Sequence, residues 1–469
     1  MKHRIGPLIL IATALLAPAL EWRPALAEPA TEDLAQRVKE LESRLKDLET
    51  NRRLEGDLQR FDALTGRLDD LEVAVQESST GVPRWVRDLR ISGGANLGYF
   101  EGGDNSWFPD GSFQVWDSRL FVEGDLGRDI SFGEKRVIRD ISFLFEWDLV
   151  RLGELSNQVG ELYVDFHGVF DTDWVNLQFG RFQIPVGENY LRFGQGYRDN
   201  PFISNTVGGP WWWDEGLKVY GAGYNGKLGY VASVTNGETP FNSSRDENKQ
   251  LTLKLFTNPT RWLHLSASAL RSGKLGSNSV PGLASLWLGE SFPRAFGSGT
   301  GVPNFDHGVA VPDGPFQLEN VSLYGADAIL SFEDKVRLWL AYGIVGVDSE
   351  GPDIYDRNLS YWIAELILQG RLASPALTPL YLGVRANGYG TYDDNEGYLL
   401  DLNRAGTLGY NMKSLNAYSL VLGWHLTEKT TLKAEYTIQD IDLVRGVAPA
   451  MTSAAGRANY FAFELGFFF

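Results

Sequence analysis

The chain has 469 residues, no cysteine, and 60 acidic against 43 basic side chains for a net charge of −17. This excludes disulfides and thiolate metal ligands and argues against a nucleic-acid partner. Mean hydropathy is −0.20 although 13% of residues are aromatic, including 14 Trp and 26 Phe; that excludes a bundle of spanning helices and suits strands in which alternate residues face lipid.

In chain order, Lys2 and Arg4 precede an apolar run from Ile5 to Leu20, followed by Ala25-Leu26-Ala27. The pattern predicts a signal peptide over 1–27, cleaved after Ala27. A retained anchor is the weaker reading, because Pro7 and Pro18 interrupt a run shorter than the ~20 residues a spanning helix needs. Loss of Lys2, Arg4, Arg23 and Glu21 takes the net charge from −17 to −19.

Residues 28–80 form a second region. Leu34, Val38, Leu41, Leu45 and Leu48 follow a heptad seam. The seam slips at Arg52 and Glu55, then resumes out of phase through Leu54, Leu58, Phe61, Leu64, Leu68, Leu71 and Val75. A periplasmic α-helical coiled coil is expected, with a single amphipathic helix as the alternative. Ser78 to Pro83 ends it.

From Asp88 to Phe469 the period changes to two. Ile141, Phe143, Phe145, Trp147 and Leu149 share one face, opposite Ser142, Glu146 and Asp148. Leu251, Leu253 and Leu255 alternate with Thr252 and Lys254; Tyr418, Leu420, Leu422, Trp424 and Leu426 alternate with Ser419, Gly423 and His425. A soluble sandwich shares such alternation, but aromatic residues at the ends of the apolar faces and the length of the region favour a membrane barrel. At about 22 to 26 residues per strand, an all-β transmembrane antiparallel barrel of about 16 strands results, wide enough for water. Its largest predicted loop runs from Ser272 to Pro315. The last predicted strand, Tyr460 to Phe469, carries Phe461, Phe463, Leu465, Phe467 and Phe469 on one face and Glu464 on the other.

Taking the apolar faces as lipid-facing assigns Arg119, Lys218, Lys254, Arg337, Arg385 and Lys433 to the lumen as candidate anion-binding residues. Asp117, Glu123, Asp125, Glu146, Asp148, Glu161, Asp165, Glu365, Glu435 and Glu464 face them, so depth rather than number decides the field. Between Gly187 and Asp214, a loop carrying Arg192, Arg198 and Asp199 among Tyr190, Phe193, Tyr197 and Phe202 is the candidate constriction. The alternative packs it over the rim, with Trp211, Trp212 and Trp213 as an interfacial belt.

Enzymatic chemistry has thin support: His167, His264, His307 and His425 lack HExxH or GxSxG spacing. No CxxCH motif holds haem, and the N-terminal extension is too short for a transporter plug. No cofactor or metal is expected.

One stretch resembles a known family. Gly180-Arg181-Phe182-Gln183-Ile184-Pro185, a long aromatic loop, Trp213-Asp214-Glu215-Gly216 and Asn236-Gly237 succeed one another as in the phosphate-selective porin O and P family. Trp213 stands where that family has Arg, and Val186 where Phe is usual. The resemblance implies a homotrimeric, 16-stranded outer-membrane pore with both termini periplasmic and an affinity for anions. It also implies that barrel assembly machinery reads the terminal Phe469. The expected function is passive diffusion of small hydrophilic solutes or ions, with anion or phosphate preference; the alternative is a barrel sheathing a partner such as an electron-transfer cytochrome.

Overall fold

The computed structural model describes residues 89–102, 111–151, 154–188, 200–204, 206, 213–237, 249–275, 319–333, 335–349, 357–391, 412–443 and 456–469. The predicted signal peptide and coiled coil lie outside them, as do Arg192, Arg198, Asp199 and most of the loop predicted from Ser272.

Sixteen antiparallel strands close into one barrel. They are β1 (Leu89–Gly102), β2 (Ser112–Phe132), β3 (Lys135–Arg151), β4 (Glu154–His167), β5 (Asn176–Gln183), β6 (Trp213–Gly223), β7 (Leu228–Thr235) and β8 (Gln250–Thr260) in the first half. The second half holds β9 (Leu263–Leu275), β10 (Glu319–Phe332), β11 (Val336–Ser349), β12 (Arg357–Gln369), β13 (Leu380–Thr391), β14 (Met412–Thr427), β15 (Thr430–Leu443) and β16 (Gly456–Phe468).

Each strand pairs with its sequence neighbours, and β1 pairs with β16. Closure leaves no unpaired edge, which a spanning sheet requires because lipid offers no hydrogen bonds. The seam is sealed by Phe469, whose amide donates to Gly93 O at 2.9 Å and whose carbonyl accepts from the Gly93 amide at 3.2 Å.

Short turns at 133–134, 224–227, 261–262 and 428–429 gather at one end together with the longer links 168–175 and 370–379; the links at the other end range from 152–153 to 276–318. Asn225 and Gly226 adopt left-handed backbone in one short turn, where the Asn and Gly residue types lower the steric cost.

The period-two pattern sorts the faces as its chemistry demands. Leu251, Leu253 and Leu255 point outward at 52%, 45% and 51% exposure, whereas Lys254 between them is 1% exposed inside. Phe461, Phe463 and Phe467 face out of β16, with Glu464 buried within. At the short-turn end Trp262 stacks on Phe332, with ring centroids 5.8 Å apart.

Two boundaries differ from the sequence expectation. β9 continues to Leu275, taking the first residues of the segment predicted as loop from Ser272, because the ladder with β10 persists and Ser272 Oγ accepts the Val321 amide at 2.9 Å. β16 begins at Gly456, earlier than Tyr460, because Arg457 holds Asp440 of β15 at 2.9 Å and extends the pairing.

Candidate functional site

β5 is short for a local reason. Glu161 of β4 accepts the Gln183 amide on its carboxylate, and the chain then leaves the wall at Ile184. Ile184 and Val186 are almost fully buried, and Gly187 takes a φ of 64°, which turns the backbone inward at little steric cost. The Gly187 amide donates to Ser268 Oγ at 2.9 Å and its carbonyl accepts from Lys254 Nζ at 2.8 Å. Glu188 completes this first anchor: its carboxylate lies 2.9 Å from Lys254 Nζ and 2.7 Å from His264 Nε2, and accepts from Ser266 Oγ at 2.6 Å. The Glu188 amide donates to Asp327, whose carboxylate also accepts the Trp339 indole. Burial alone would push the Glu188 carboxyl up, but Lys254 and His264 outweigh it and hold it below the usual carboxylate range.

The same loop is anchored a second time at residues 200–204. Glu435 of β15 accepts the amides of Ile203 at 2.5 Å and Ser204 at 3.1 Å, and also the Ser204 hydroxyl. Arg385 of β13 donates to Ser204 O at 2.8 Å and lies 4.3 Å over the Phe202 ring. Tyr381 donates its hydroxyl to Pro201 O at 2.7 Å. Phe202 is buried among Ile367, Tyr381 and Val421, and Ile203 among Phe100, Trp116 and Ala462. The first anchor sits on β8 to β10; the second reaches β12 to β16, β1 and β2. The two described ends of the segment, Ile184 to Glu188 and 200–204, are therefore fixed to separate stretches of the wall, their hydrogen bonds falling on β8 to β10 and on β13 to β15.

A third cluster lines β2 to β6. Arg119 lies 2.5 Å from Glu146, 2.9 Å from Asp148 and 3.1 Å from Asp117, so one guanidinium serves three carboxylates. The other Glu146 oxygen accepts the Glu161 amide where the β3/β4 register shifts, replacing a ladder bond. Trp213 is held between Arg119 and Arg181, whose guanidinium carbons lie 5.7 and 5.8 Å from its ring centre. Trp213 is thus a buried lumen residue, and the interfacial-belt alternative does not hold for it.

The motif residues meet in space. Gly180 pairs with Gly216, and Arg181 lies 2.8 Å from Glu215. Asp214 accepts the Gly237 amide at 2.6 Å, tying the segment that enters β6 to the end of β7.

The predicted lumen cations are placed as follows. Lys254 and Arg385 hold the inward loop. Arg119 belongs to the carboxylate cluster, Lys218 lies 5.1 Å over the Phe182 ring, and Lys433 lies 3.0 Å from Glu464. Arg337 is half-buried near the short-turn end, opposite Ser331. Sequence reasoning missed the anchoring roles of Glu188, Asp327, Ser204 and Glu435. Alternation marks Glu435 as inward-facing but carries no information about the loop it meets.

Ser142, Asp165 and His167 also come together, a grouping hidden by their separation in sequence. His167 Nε2 lies 3.5 Å from Ser142 Oγ and 3.7 Å from Asp165, while Nδ1 faces the Tyr220 hydroxyl. The same ring nitrogen faces both groups, so the carboxylate does not orient the imidazole toward the hydroxyl as a nucleophile pair requires. Among the described residues no group of three His, Asp or Glu side chains is arranged to hold a metal ion.

No protein-family model matches the chain, and no curated protein does. Solved structures do. OprB of Pseudomonas putida is 12% identical with a TM-score of 0.51, covering 81% of this chain and 94% of its own. The outer membrane channel DcaP of Acinetobacter baumannii is 12% identical with a TM-score of 0.50, covering 81% and 97%. The likeness is one of fold, a closed antiparallel barrel. A loop-deletion variant of OmpT, an outer membrane protein of Vibrio cholerae, is similar at 11% identity and a TM-score of 0.50, covering 81% of this chain and 99% of its own.

Proposed function

We propose that the protein is an outer-membrane porin through which small hydrophilic solutes or ions diffuse passively. One observation carries this reading: a polar-walled, closed barrel of sixteen strands holds a loop whose two ends are hydrogen-bonded to separate stretches of its inner wall. A barrel of this size has room for water, and an internal loop narrows it to a size-selective passage. The sequence resemblance to the phosphate-selective porins and the likeness to a channel protein support the same reading.

The finer assignment is an anion preference that includes phosphate, in a homotrimer whose N-terminal helix stands in the periplasm. Arg119 and Lys433 share their surroundings with carboxylates. In this reading net positive field at the constriction comes from Arg192 and Arg198, which lie between the two anchors in the chain.

The test is conductance of the purified protein in planar bilayers, with reversal potential under a KCl gradient. Open channels with an anion-selective reversal potential, weakened in R192A/R198A, are expected. A cation-selective potential overturns the anion assignment, and absence of conductance overturns the porin reading in favour of a partner-filled sheath.

A further inference from the structure

We infer that Glu435 is the positioning residue that sets the width of the passage, by holding the far end of the inward loop in a cradle built to receive a carboxylate. The inference rests on the porin reading for its effect on transport, but the latch itself is a separate physical claim.

The cradle is made of loop atoms. Successive amides of Ile203 and Ser204 and the Ser204 hydroxyl converge on one Glu435 carboxylate. Consecutive backbone N–H groups in a turn form a concavity suited to an anion. Asn200 shapes this turn: its side chain accepts the Phe202 amide at 3.1 Å and donates to Ser204 O at 3.3 Å. From the wall, Thr437 donates to Glu435 at 2.8 Å, and Ser419 lies within hydrogen-bond distance of both Thr437 and Ser204. Arg385 reaches the Ser204 carbonyl and hydroxyl from β13, two strands away from Glu435.

The polarity of this latch is opposite to that of the first anchor. There a loop carboxylate, Glu188, inserts among wall donors; here a wall carboxylate enters a pocket of loop donors. Charge-assisted bonds of this kind are stronger than neutral ones, and a buried donor deprived of its acceptor carries a desolvation penalty. Removing Glu435 leaves buried amides without their anion, so the loop end is expected to swing from the wall to find water.

The cysteine-free chain allows a direct readout. S204C places a thiol at a position 5% exposed in the latched state. In the assembled barrel, S204C is expected to react slowly with a small methanethiosulfonate. S204C/E435A is expected to react many-fold faster and to slow again in high formate, which supplies the missing carboxylate. In bilayers, E435A is expected to shift the cutoff for neutral polymers to larger sizes. Oxidising S204C/S419C in the E435A background is expected to restore the wild-type cutoff, since the two hydroxyls start 3.3 Å apart. Heat-dependent gel mobility reports assembly; should E435A fail to assemble, E435Q keeps the shape while lacking the charge and is expected to label at an intermediate rate. Equally slow labelling of S204C with and without the Glu435 carboxylate overturns the latch. An unchanged cutoff in a channel that does label faster overturns its control of pore width. A wild-type barrel that never conducts overturns the porin reading, while the labelling rates still decide the latch.

Discussion

Arg119, a single buried guanidinium among Asp117, Glu146 and Asp148, is where charge and stability meet most closely. Removing one partner of a buried ion pair costs about 3 to 5 kcal/mol because the remaining charge stays uncompensated. R119A is therefore expected to lower stability by that order in detergent urea titrations followed by heat-dependent gel mobility. Glu188 gives a prediction of opposite character. Its carboxyl is held below the usual range, so the stabilisation is fully present above the unfolded-chain value and is lost only as pH falls through the lower folded value. The first anchor is expected to persist through mildly acidic conditions, which an unchanged polymer cutoff between neutral pH and pH of about 5 checks. At Gly180 the argument is steric: φ is 136°, and a Cβ would meet Leu162 O at 2.2 Å. G180A is expected to cost more than the roughly 1 to 3 kcal/mol of an ordinary strained backbone position and to reduce the folded fraction in the same assay. The inward side of Glu435 and Lys254 is legible in the sequence because side chains alternate along a strand. Their loop partners are not: Glu435 meets an amide 232 positions away, and no local period encodes that distance.

Strands themselves were the most legible elements, since each must present apolar side chains to lipid and polar ones to the lumen over a fixed thickness. Their number follows from that thickness and from the alternation of short turns with long loops. Their ends do not. β5 stops where a side-chain carboxylate takes over a ladder bond, and β9 extends through Ser272-Gly273-Lys274, a composition that reads as loop in isolation. Gly180, Asp214 and Gly237, which succeed one another in the sequence motifs, come together in space and tie β5, β6 and β7 together. β16 carries the prediction at this scale. Phe469 is exposed outward while its backbone pairs with Gly93, so its ring is not needed for the ladder. Deleting Phe469 or replacing it with a charged residue is expected to lower the amount assembled in the membrane more than it alters single-channel conductance, read by comparing outer-membrane yield with bilayer recordings.

For the molecule as a whole, the coiled coil proposed from the sequence is expected to contribute separately from the barrel. Removing 31–77 is expected to weaken the oligomer, seen as a smaller species in native mass measurements, while leaving the conductance of each barrel unchanged; loss of conductance would count against an independent barrel. The seam between β1 and β16 has a consequence for how the chain reaches this state. Every other pairing joins strands adjacent in sequence, whereas this one brings Gly94 to Phe468. By the logarithmic law for loop closure, meeting across such a separation costs about 3 kcal/mol more than closing a ten-residue turn. The meander of hairpins can thus form progressively, but the ring is completed in a single late event, and until then two bare strand edges remain open. A nascent chain halted before its final strand is an edge-exposed intermediate poised to pair with whatever strand it meets next.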